Sequence, residues 1–133
     1  MTTPDRPTIV CLCGSTKFAE AFRAANFRET LAGRIVLSIG VNMRTDGDLF
    51  TQLGPHAPVR IKKDLDDLHK RKIDLADEVL VLNVDGYIGD STRSEVAYAR
   101  EHGKPIRWLE DPEAMREAAS RLLTAANEAE ASR

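Results

Sequence analysis

Apolar positions along the chain follow two different rhythms. TIVCLC (8–13), RIVLSIGV (34–41), EVLVLNV (78–84) and KPIRWLE (104–110) are dominated by apolar and β-branched residues, without the in-and-out alternation of a half-solvated strand. Runs of this kind predict strands covered on both faces. Between them the spacing lengthens to that of helices. STKFAEAFRAANFRETLAG (15–33) places Phe18, Phe22 and Ala25 at helical intervals before Gly33 supplies a stop. A charged helix is expected from Val59 to about Ala76, with Ile61, Leu65, Leu68 and Ile73 as its inward stripe. RSEVAYAREHG (93–103) reads as a helix stopped by Gly103. DPEAMREAASRLLTAANEAE (111–130) reads as a last helix capped by Asp111, with Pro112 in its first turn and Met115, Ala118, Leu122 and Ala126 along one side.

Apolar strands alternating with helices predict an α/β fold: a parallel sheet of four to five strands, covered on both faces and built from right-handed crossovers. The polar, proline-bearing 1–7 is expected to be a loose lead-in to a single domain, 8–133. NMRTDGDLFTQLGPHAP (42–58) is too long and irregular for a routine connector, which marks it as a binding loop or a place for a fifth strand.

Composition narrows the partners. A formal net charge of -2 gives no electrostatic reason to expect a nucleic-acid polymer or an anionic membrane surface. No run is apolar enough for a membrane span and no signal-peptide pattern is present, so a cytoplasmic location is expected. Cys11 and Cys13 are spaced to share one face of a strand and read as reduced core thiols. With no second Cys/His pair beside them, no metal is expected, and no cofactor.

Open parallel sheets bind ligands beyond the carboxyl ends of their strands. Two strand-to-helix junctions carry the residues for it. In CGSTK (13–17), Gly14 permits a tight turn, Ser15 and Thr16 offer hydroxyls and helix-start amides, and Lys17 adds charge: a place for a phosphate, or a plain serine cap. DGYIGDSTRSE (85–95) gathers Asp85, Tyr87, Gly89, Ser91, Thr92, Arg93 and Glu95. Glu95, expected in the first turn of its helix, is either held there as a nucleophilic anion or spent in a capping box with Thr92. Asp74 and Asp77 read mainly as solvated or turn-forming acids, and His69 as a surface helix residue.

Together, CLCGSTKF, LHKRKIDLADEVLVLNV and GYIGDSTRSEVAYAREHGKPI resemble the nucleoside 2-deoxyribosyltransferase-like family, which includes deoxynucleoside 5'-monophosphate N-glycosidases, over residues 8 to 110. The resemblance implies a flavodoxin-like three-layer sandwich, a homo-oligomer, and cleavage or transfer at the N-glycosidic bond of a nucleoside or nucleotide. It places Glu95 on the nucleophile, Gly14 and Ser15 on the loop that holds a 5'-phosphate, and Ser91 and Thr92 near the sugar. Where better-known members carry an aspartate that assists the leaving base, this chain has His69. The assisting proton would then come from His69 itself or from an acid such as Asp74. Arg93, beside the glutamate, has the fork to bind a phosphate or carboxylate. A non-catalytic nucleotide-binding or sensing domain on the same fold, and an NAD-type glycohydrolase, are the competing readings.

Overall fold

The structure is a computed structural model that describes residues 5–39 and 57–131. Its elements run β1 (Ile9–Cys13), α1 (Ala19–Leu31), β2 (Ile35–Leu37), α2 (Ala57–Leu75), β3 (Glu78–Val81), a short 3-10 turn (Val84–Gly86), α3 (Asp90–Glu101), β4 (Ile106–Trp108) and α4 (Pro112–Ala131). The four strands form one parallel sheet in the order β2-β1-β3-β4, with Cys11 opposite Leu37 and Val79, and Cys13 opposite Val81. The segment 42–58 lies outside the described residues apart from its last two positions, which open α2.

Side chains alternate across the central strands, so their apolar runs feed two cores. Val10, Leu12, Leu80 and Leu82 pack with Phe22 and Ala25 of α1 on one face. Cys11, Cys13, Val79 and Val81 pack with Ile73, Ala76, Val96 and Ala99 from α2, α3 and the turn between α2 and β3 on the other. Helix, sheet and helices make three layers, the flavodoxin-like arrangement. Full burial on both faces explains why no polar position interrupts Val10 to Cys13.

The glycine stops act through left-handed backbone. Gly33 and Gly103 have φ of +86° and +66°, and each is followed by an amide that reaches back into its helix: Arg34 N–H to Glu29 at 3.0 Å, Lys104 N–H to Ala99 at 2.9 Å. Two polar clamps tie the amino ends of the strands. The Asp77 carboxylate accepts hydrogen bonds from the Ile9 amide at 2.8 Å and from Arg6 at 2.7 Å, so Arg6 is anchored although it falls in the stretch expected to be loose. Lys104 Nζ donates to the carbonyls of Asp74 at 3.2 Å and Ala76 at 2.8 Å, closing the carboxyl end of α2.

Two helices depart from expectation. In α2 the inward row is not the one containing Leu68, which is 52% exposed; His69 turns inward instead, 8% exposed, four residues before the fully buried Ile73. In α4 the stripe finds no cover within the described residues, since Ala118, Leu122 and Ala126 are all exposed, as is Leu123. The Asp111 cap does form, its Oδ1 accepting from the Glu113 amide at 2.9 Å.

Candidate functional site

Strand order reverses at β1, so the crevice of this sheet opens beyond the carboxyl ends of β1 and β3, between the loops that follow them. These are the two loops singled out from the sequence, and side chains join them. Lys17 Nζ stands 3.5 Å from the centroid of the Tyr87 ring, and Phe18 meets the same ring edge-on with centroids 5.8 Å apart. Beneath them Leu82 N–H donates to the Cys13 carbonyl at 2.8 Å. A Cβ on Gly14 would come within 3.1 Å of Leu82 Cβ, so Gly14 is required by close packing of the first loop on β3.

Several expectations for these loops are corrected by where the helices begin. α1 starts at Ala19, so Ser15 is neither its cap nor beside its first amides; Ser15 Oγ accepts from the Lys17 amide at 3.4 Å in a preceding turn, with Thr16 and Lys17 exposed. α3 starts at Asp90, with Gly89 before it in extended backbone and the Gly89 carbonyl accepting from Arg93 N–H at 3.0 Å. Thr92 is therefore inside the helix and 2% exposed, not in the loop; Ser91 is half-buried, and Arg93 points to solvent-exposed surroundings. Asp85 is exposed and takes up a left-handed φ of +54°, which lets the chain double back with Gly86 at +79°.

The same shift removes the capping-box reading of Glu95. It lies in the second turn of α3, beyond reach of the cap position, and its Oε2 is buried with no hydrogen-bond partner among the described residues. Nor is it the dipole-stabilised anion of a first turn. Its surroundings are a compact cluster on the α2–α3 face of the sheet. His69 Nε2 lies 3.8 Å from Glu95 Oε2, 3.6 Å from Cys11 Sγ and 3.4 Å from Cys13 Sγ. Both cysteines are free and fully buried, Glu95 is 7% exposed, and the whole group adjoins the end of β1 below the Gly14 loop.

Close packing of four ionisable groups separates their proton affinities. The hydrogen bond from Cys13 pulls the Cys11 thiol down to about 6, against burial and with help from His69. The same bond, with burial and the Glu95 charge, pushes Cys13 well up. Burial raises Glu95, partly opposed by the His69 charge and a bond from Cys13. Burial disfavours a charged His69, but Cys11 and the Glu95 charge outweigh it and its pKa stands above the ordinary value.

Asp74 is not brought to this cluster. It accepts from the Tyr98 hydroxyl at 2.6 Å and pairs with Arg71 at 3.2 Å, near the carboxyl end of α2, which leads to the amino edge of the sheet. The cysteines are the site residues that the sequence reading passed over as core. The signal for them was their position on the last turns of the strand that feeds the Gly14 loop, together with the four-residue row Ile61, Leu65, His69, Ile73 that aims the imidazole at them.

Fold and site define the class: an α/β protein of flavodoxin-like architecture with a buried carboxyl–imidazole–thiol cluster beside its switch-point crevice. No family model, curated protein or solved structure matches the chain.

Proposed function

We propose that the protein cleaves or transfers at the N-glycosidic bond of a nucleoside or nucleoside 5'-monophosphate, with Glu95 as nucleophile. The observation that carries this reading is Glu95 Oε2, buried, without a hydrogen-bond partner among the described residues, and 3.8 Å from His69 Nε2. A carboxylate oxygen without a hydrogen-bond partner keeps its lone pairs for an electrophile, at a cost in folding stability.

In this mechanism Glu95 Oε2 attacks the anomeric carbon as the carbon–nitrogen bond breaks and its electron pair leaves with the base. His69, whose pKa is raised, supplies the proton the departing nitrogen needs. The result is a glycosyl ester on Glu95. Water, giving its proton back to His69, or a second base then displaces the sugar from the same carbon, restoring Glu95 with net retention. Lys17 and the hydroxyls of Ser15 and Thr16 sit on the first loop, where a 5'-phosphate would be held; Tyr87 offers a ring for a base. Free, buried cysteines suit a reducing compartment such as the cytoplasm, and the uncovered apolar residues of α4 suit self-association.

The test is incubation with a panel of nucleosides and their monophosphates, followed by chromatography for free base. Wild type is expected to release base, and Glu95→Ala to lose at least about a hundredfold in rate. Equal release by both would remove Glu95 from the chemistry, and tight binding of a nucleotide without turnover of any would favour a sensing domain.

A further inference from the structure

The Cys11, Cys13 and His69 cluster is assigned no part of its own by the proposed chemistry beyond the imidazole's proton, yet its geometry is specific. The three donor atoms all lie within 4.8 Å of one another. Tetrahedral zinc, with bonds of about 2.3 Å to sulfur and about 2.0 Å to nitrogen, holds its sulfur and nitrogen ligands about 3.5 Å apart. His69 Nε2 stands 3.6 Å from one sulfur and 3.4 Å from the other. The second, independent observation is Glu95: seen from the imidazole its Oε2 is 3.8 Å away, buried, and without a hydrogen-bond partner among the described residues. Two thiols and one imidazole converge from β1 and α2, and the Glu95 oxygen from α3 lies beside the imidazole.

We infer that Cys11 Sγ, Cys13 Sγ and His69 Nε2 form a binding site for one thiophilic divalent metal ion of the zinc class, with the Glu95 carboxyl beside the imidazole. Thiolates and imidazole select zinc over calcium or magnesium, which demand oxygen ligands. The alternation of the strand does the positioning: residues 11 and 13 project to one face, and the four-residue row of α2 lowers His69 onto them. On binding, Cys11 and Cys13 release their thiol protons and each sulfur donates an electron pair to the ion, with no change in oxidation state. Burial of the three ligands makes this a site that loads as the chain folds. A metal ion there occupies the His69 nitrogen whose proton the glycosidic chemistry requires, so the loaded protein would be held inactive. The site itself does not depend on that chemistry.

Cobalt(II) and zinc are the probes, used on the untagged full chain both by native incubation and by refolding from denaturant. The chain has two cysteines, so a thiolate-to-cobalt charge-transfer band can arise only from Cys11 and Cys13. The expected result is that band, with intense visible bands of tetrahedral cobalt, saturating at one ion per chain and displaced by one zinc. Zinc should also raise the unfolding temperature. His69→Gln should weaken zinc binding by at least about tenfold, and the double change Cys11→Ala, Cys13→Ala should abolish the band. Absence of any thiolate band in wild type after refolding with cobalt overturns the proposal, whatever the variants do. So does a band whose affinity is unmoved by His69→Gln.

Discussion

Glu95 draws its character from a small offset in sequence. Had α3 begun at Arg93, as the Thr-Arg-Ser-Glu pattern suggests, the carboxylate would fold back on a cap; because the helix starts at Asp90, the side chain turns toward the sheet and meets His69 and the two thiols. The sequence pointed to this loop and misjudged the depth of its residues, because a capping box and an ordinary helical turn share the same letters. Asp77 shows the complementary case, an acid with a structural task. The Ile9 amide first, and then Arg6, hold its pKa below the ordinary carboxylate value. Its contribution is therefore present above the unfolded-state pKa of about 3.9 and is lost as pH falls through the lower folded value. Asp77→Ala is expected to cost about 1 kcal/mol at neutral pH, allowing for its partial exposure. Denaturant titrations should show the gap between the two proteins closing below about pH 4.

At the scale of elements, the central strands β1 and β3 were legible because double-sided burial leaves an unbroken apolar run, whereas the edge strands β2 and β4 are only partly covered and shorter than their apolar runs; helix stops were legible because Gly33 and Gly103 occupy left-handed backbone. The facing of α2 was not. Leu68 and His69 are neighbours, and hydrophobicity alone favours Leu68, whereas the row Ile61, Leu65, His69, Ile73 keeps a constant four-residue step. The core accepts the imidazole because two sulfurs and a carboxylate are there to meet it. Lys104 illustrates a link between elements that a Gly-Lys-Pro motif conceals: it stitches α2 to the approach of β4 through two carbonyls. Lys104→Ala should lower stability by about 1–2 kcal/mol, with amide exchange speeding up most in the last turn of α2. Unchanged exchange there would mean that the carbonyls find other donors.

On the scale of the whole molecule, sheet order sets where the candidate site falls. The reversal at β1 puts the Gly14 loop, the Tyr87 loop and the Glu95 cluster in one place, although they are spread over residues 13 to 95. The sequence reading named the two loops and took the cysteines as core, since their partner His69 lies 56 residues from Cys13 and only the row on α2 points to it. The last helix belongs to this scale too. Leu122 and Leu123 are 73% and 67% exposed, and a second copy of the chain is the occupant proposed for them. Sedimentation equilibrium should give a dimer or larger, shifted toward monomer by the double change Leu122→Glu, Leu123→Glu.

The central claim, that Glu95 takes the sugar from its base, is met most directly by rapid-quench mass spectrometry of metal-free protein mixed with a nucleoside monophosphate that it turns over. The expected result is a transient mass increment of one sugar phosphate, mapped by fragmentation to Glu95 and absent from Glu95→Gln. Base release at full rate with no adduct on Glu95, and undiminished in Glu95→Gln, would contradict it.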